Sequence, residues 1–204
     1  MKSFQIFLIG LLSLGLMACA AKPPEVKYFV LPEPNFTARD AEFKGKYALG
    51  SIRMAEFLTG QGLVVAASET EITQTRLHRW GDPLEAQIER QMRQGLLQQF
   101  PASQWVPLLS TGYLRSMDYR VDLHVDKFHL NAAGEAEVQV QWFLRDAKED
   151  FVHSGTVSAR EEVQFNNEQS QDYAQFVVAL GAAWHEALQA LGEQLAEVKT
   201  NESS

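Results

Sequence analysis

Cysteine is almost absent: Cys19 stands alone in 204 residues, so no disulfide can form within the chain. Basic charge is scarce as well, with 18 lysines and arginines against 26 acids and a formal net charge of −8. An acidic chain without a Lys/Arg-rich stretch lacks the phosphate-neutralising stripe of a nucleic-acid binder and the polybasic patch that attaches to anionic lipid. No nucleic-acid partner is expected. No apolar run reaches the ~20 residues of a membrane-spanning helix. The nucleophile elbow, the P-loop, the dinucleotide fingerprint and the His-Glu-x-x-His zinc helix are all missing. What is present is 46% hydrophobic and 22% charged, with a mean hydropathy of −0.21, the composition of one folded domain with a real core.

The longest apolar run is at the start. Lys2 precedes Phe4 to Leu16, a stretch of signal-peptide length, and the run ends in Leu16-Met17-Ala18-Cys19. This resembles a bacterial lipobox, although Met17 stands where a smaller residue is commoner. The competing reading is an ordinary signal peptide cleaved near Ala18 or Ala21, which would leave an unpaired thiol exposed to oxidation. An acylated Cys19 has no such liability, and at about 0.8 kcal/mol per buried methylene its chains hold a protein to a membrane without help from charge. Covalent lipid on Cys19 is therefore the expected modification, and no other cofactor is expected. The lipobox resemblance also implies sorting by the next residue. Ala20 is not the aspartate associated with inner-membrane retention, which points to the periplasmic face of the outer membrane.

Four stretches follow: a lipoprotein signal peptide at 1–18, a lipidated N-terminus and tether at 19–27, a domain at 28–199 and a polar tail at 200–204. Pro23-Pro24 favours an extended tether of about 3.1 Å per residue, so residues 20–27 reach roughly 25 Å. The domain must sit close to its membrane.

Patterning predicts an α+β fold, an antiparallel or mixed β-sheet packed against two main α-helices in a single domain. Short strands are expected at Tyr28 to Leu31, Tyr47 to Met54, Leu63 to Ala67 and Glu71 to Leu77. Asp82-Pro83-Leu84-Glu85 reads as a helix start with Asp82 as N-cap, and Leu84, Ile88, Met92, Leu96 and Phe100 form a buried stripe that Pro101 ends. Tyr119 to Val125 alternates apolar and polar residues, then slips phase at Asp126-Lys127, which predicts a bulge. Asn131 to Gly134 turns the chain into an alternating strand from Ala136 to Leu144, and another strand is expected from Phe151 to Val163. Asp172 to Val198 is a long helix whose stripe runs from Tyr173 through Trp184 to Val198. Its glycines and alanines suit close packing on the sheet, or reception of a partner helix.

Candidate sites are few. His124, His129 and His153 fall on neighbouring predicted strands, but nothing stands at metal-ligand spacing, and Glu135, Glu137, Glu161 and Glu162 have no mark of an acid/base pair. Neither catalysis nor a metal site is expected. Phe57 and Leu58, apolar in a predicted loop, mark a contact patch if exposed. Arg79 and Trp80 are a second candidate for partner binding, with Trp80 otherwise a staple on the following helix.

Taken in order, the lipobox, Tyr28-Phe29-Val30-Leu31-Pro32, the segment Glu56 to Val64, the run Leu77 to Leu84, the Tyr119 strand and the Trp184 helix resemble the ABC-type transport auxiliary lipoprotein family. Gly81 departs from it, since a residue with a side chain is more usual beside Trp80. The resemblance implies an outer-membrane lipoprotein in lipid traffic between membranes. Its direct partner would be a PqiB-like MCE protein that spans the periplasm as a tube, and a PqiA-like inner-membrane protein would be an indirect one. A homo-oligomer is also expected, with a ring as one closed form. Alternatives from other classes are an assembly factor or plug for an outer-membrane barrel, and a periplasmic lipid carrier.

Overall fold

Residues 24–39, 43–107, 116–164 and 173–202 are described by a computed structural model of the protein. The signal peptide, Cys19, the first part of the tether, Asp172 and the end of the tail lie outside the described residues.

The alternating stretches become strands of one eight-stranded sheet. They are β1 (Lys27–Phe29), β2 (Lys46–Met54), β3 (Gly62–Ala66), β4 (Ile72–Trp80), β5 (Gln104–Pro107), β6 (Tyr119–Leu130), β7 (Glu135–Asp146) and β8 (Phe151–Glu162). Between β4 and β5 lies helix α1 (Leu84–Gln99), and α2 (Tyr173–Glu202) closes the chain. A single 3-10 turn, Glu56–Leu58, follows β2.

The expected sheet needs correction in its pairing. Parallel ladders join β1 to β4, β2 to β5, β2 to β6 and β3 to β6, and only β3–β4, β6–β7 and β7–β8 are antiparallel. The parallel ladders escape a sequence reading for a physical reason. Alternation fixes which face a strand buries, but not which strand it pairs with or in which direction, and parallel partners are brought together by long crossovers rather than tight turns. Strand β5 was not expected at all, because four residues ending in proline carry no pattern. It is held by its ladder to β2, Lys46 to Gln104 through Leu49 to Pro107.

Strand β6 is the centre of the sheet. One of its edges pairs with β7 throughout, while the other is shared by β2 at its start and β3 at Leu130. The hairpin into β7 turns at Asn131, whose side chain accepts the Ala133 and Glu135 amides, and Gly134 supplies the positive φ of 85°. The extra residue in β6 is Asp126, between the pairs Val125–Val140 and Lys127–Gln139. Beyond it Phe128 and Leu130 return to the core face, and Lys127 and His129 to the open face.

Both helices lie on the core face. The α1 stripe Leu84, Ile88, Met92, Leu96 and Phe100 is buried, as are Leu180, Trp184, Leu188, Leu191 and Leu195 of α2. Pro83, not Asp82, occupies the N-cap of α1, without a side-chain cap. Asp82 instead pairs with Arg90 at 2.9 Å, and its carbonyl accepts from the Gln87 side chain at 3.0 Å.

Residues 30–39 form a strap without regular structure across both helices. Gln87 accepts the Leu31 amide at 2.8 Å, Gln91 donates to Pro32 O at 2.9 Å and Gln98 accepts the Phe36 amide at 2.8 Å. His185 of α2 lies 3.2 Å from Pro32 O. The strap also explains two glycines. A Cβ on Gly181 would come within 2.7 Å of Pro32, and one on Gly95 within 2.7 Å of the Phe36 ring. The small face of α2 therefore receives the chain's own strap at Gly181, a partner the sequence does not reveal.

Candidate functional site

The four residues singled out as partner contacts meet around one loop, Glu56 to Gly62. Two of them face inward. Leu58 is 2% exposed and Trp80 5%, both in the core, with Trp80 edge-on to Phe128 at 6.4 Å and its amide donating to Gln61 O at 2.8 Å. The 3-10 turn points Leu58 under the sheet end, so an apolar residue in a predicted loop proves to be core rather than contact surface. Trp80 likewise anchors the loop and presents no surface. The loop can lie this close to β4 because residue 62 is glycine: a Cβ there would stand 2.3 Å from Thr75 O.

Phe57 and Arg79 are the half-buried pair that remains accessible. Gln74 donates to Phe57 O at 2.7 Å, and Arg79 Nε donates to Arg76 O at 2.9 Å. Phe57 forms one wall of an open groove of about 620 Å³, between the 3-10 turn, the β3–β4 hairpin and the β6–β7 hairpin. Ile72, Lys127, His129, Glu137 and Arg160 line it with Phe57.

The electrostatics of the groove centre on Glu137. Its Oε1 accepts from Lys127 Nζ at 3.1 Å and from Arg160 Nη2 at 2.8 Å. Burial alone would raise this carboxyl, but hydrogen bonds from Arg160 and Lys127, with their charges, outweigh it and hold it below its usual range. His129 is 7% exposed, and burial lowers its pKa, against Glu137 and with Lys127, so the ring is neutral near pH 7. Its Nδ1 has no hydrogen-bond partner among the described residues, and the Phe57 ring meets it edge-on at 6.0 Å. Glu69, Asp126, Glu135 and Glu137 outnumber Lys127 and Arg160 around the groove. Such a lining suits a polar partner segment that carries cations, and it repels an anionic headgroup.

The Asp126 bulge is what assembles the groove, because it sets Lys127 and His129 on the face of Glu137. That grouping was within reach of the sequence, in the phase slip and the Asn131 turn, but Lys127, Glu137 and Arg160 were not foreseen as a cluster. The three strand histidines do not converge: His124 and His129 share the open face, whereas His153 lies against Trp142, 5.6 Å between rings, on the core face. Among the described residues no three His, Cys, Asp or Glu side chains form a metal-holding group.

A family model described as the ABC-type transport auxiliary lipoprotein component matches residues 29–193. The intermembrane transport lipoprotein PqiC of Escherichia coli (strain K12) is 21% identical over 192 residues, covering 93% of this chain and 96% of that protein, and PqiC of Shigella flexneri matches to the same extent. Among solved structures, a protein of Xanthomonas campestris superposes with a TM-score of 0.65 at 15% identity, covering 88% of this chain and 97% of its own. A second, uncharacterized protein gives 0.64 at 18% identity, covering 84% and 99%. Both share the fold.

Proposed function

The chain belongs to the ABC-type transport auxiliary lipoprotein family, and from that premise we propose that it is the outer-membrane lipoprotein of a PqiABC-like intermembrane lipid transport system. Lipid on Cys19 fixes it to the periplasmic face, the tether keeps it near that bilayer, and its domain anchors or caps the end of a PqiB-like MCE tube, in support of envelope integrity. In this reading the domain is a non-catalytic adaptor that needs no cofactor beyond its lipid, and it works as a homo-oligomer. The single observation that supports it most is a family match across residues 29–193, which begins ten residues after the lipobox cysteine.

Among the described residues no helix is long and apolar enough to cross a membrane, which suits attachment by lipid. The groove beside Phe57 is the surface we assign to the tube, since its lining of both signs fits a protein partner better than a lipid tail. Photo-crosslinking from position 57 in membranes of the native host, with identification of the captured protein, tests the assignment. An MCE protein is the expected product. Capture of a barrel protein without it would favour the assembly-factor reading, and co-purification of lipid with the isolated domain would favour the carrier.

A further inference from the structure

Strand β1 and the residue that follows it carry an apolar pair left exposed by the described residues. Tyr28 is 65% exposed and Val30 61%, the highest values among the large hydrophobic residues described, and as residues i and i+2 they share one side of the chain. In the parallel ladder Tyr28 stands opposite Arg79, so the two side chains occupy the same face. Lys27 precedes Tyr28 in β1 and stands opposite His78, so its side chain leaves on the other face of the strand. A tyrosine and a branched aliphatic residue with an arginine beside them match the interfacial zone of a bilayer, where a ring sits at headgroup depth and arginine reaches phosphates.

Chain length supplies the occupant. Nine peptide steps separate Cys19 from Tyr28, which at full extension span about 30 Å at most. Strand β1 also runs parallel to β4, so the tether meets the sheet from the end at which β4 begins. We propose that the outer face at β1, formed by Tyr28 and the following Val30 with Arg79, rests in the headgroup region of the bilayer that holds the lipid anchor. Glu25 and Glu33 flank the pair, so net charge does not drive this contact. The anchor brings the domain to the surface, and the apolar pair fixes which face turns toward it. The inference rests on the lipid-anchored reading above.

Unmodified Cys19 is the only thiol, and lipidation removes it, so an introduced cysteine becomes a unique labelling site. Lipidated protein purified from the native host, as Tyr28→Cys, Val30→Cys or Phe151→Cys, is labelled with an environment-sensitive dye. It is then reconstituted in vesicles of phosphatidylethanolamine and phosphatidylglycerol with brominated acyl chains. Phe151 is 58% exposed, so all three substitutions lie on the surface. Quenching by the brominated chains is expected at positions 28 and 30, and none at 151. Equal, unquenched dye at all three positions overturns the inference and leaves the anchoring intact. A dye shielded at 28 but unquenched by lipid overturns it too, in favour of a protein neighbour or a second copy. Dye uptake by the protein without an introduced cysteine, or failure to float with vesicles, overturns the anchoring itself.

Discussion

Single residues decide how the loop and groove are held. Gly62→Ala forces a methyl onto the Thr75 carbonyl, a backbone atom that cannot rotate away. Overpacking of this kind costs about 1 to 3 kcal/mol, to be measured as a shift in the denaturant midpoint with the slope unchanged. Titration gives a second measurement. His78, His129 and His185 are all held below the ordinary 6.5, each chiefly by burial, and unfolded they bind a proton near that value. Their contribution is complete above pH 6.5 and is lost as pH falls from there through the lower, folded values. The melting temperature should therefore decline on acidification from pH 6.5, and His129→Gln should make the decline shallower. Glu137, whose folded pKa is also depressed, contributes in full above its ordinary 4.5, and that share goes as pH falls through its folded value. The stability gap between the wild type and Glu137→Gln should then close below pH 4.5. At this scale the sequence could not say which of Phe57, Leu58, Arg79 and Trp80 point inward; Leu58 and Trp80 do. An apolar residue beside a turn reads alike whether it points in or out, and only tertiary packing decides.

Elements were readable wherever periodicity was long. The α1 stripe from Leu84 to Phe100, the α2 stripe through Trp184 and the Asp126 bulge all follow from spacing, because burial repeats with the geometry of the backbone. The strap is the opposite case. Residues 30–39 have no period, and their place depends on glutamines of α1 that count as surface residues in any sequence pattern. Gln87 shows the cost of losing one. It is buried, accepts the Leu31 amide and donates to Asp82 O, so Gln87→Leu leaves the buried Leu31 amide unpaired, while the exposed Asp82 carbonyl can turn to water. About 1 to 3 kcal/mol for each buried group left unsatisfied is the expected scale, read from chemical denaturation. Hydrogen exchange at the Leu31 amide should accelerate in the same variant, well before exchange in β6 and β7 changes.

At the scale of the molecule, the lipobox and the ordered series of short motifs pointed to the family, while the directions of the parallel ladders stayed hidden. The family match spans residues 29–193, beginning ten residues after Cys19. Replacement of Cys19 by alanine is expected to move the protein from the membrane fraction to the soluble periplasm with its thermal melt unchanged, a result fractionation and calorimetry can check. The strap also bears on how the domain answers a pull on its N-terminus. Tension from the anchor, directed along β1, pulls on its hydrogen bonds to β4 side by side rather than one after another, and whatever passes them meets the glutamine clamps on α1. A domain threaded in this way acts as a fastener under tension. Optical-tweezer extension between residue 24 and the C-terminus should show rupture at lower force in Gln87→Leu than in the wild type.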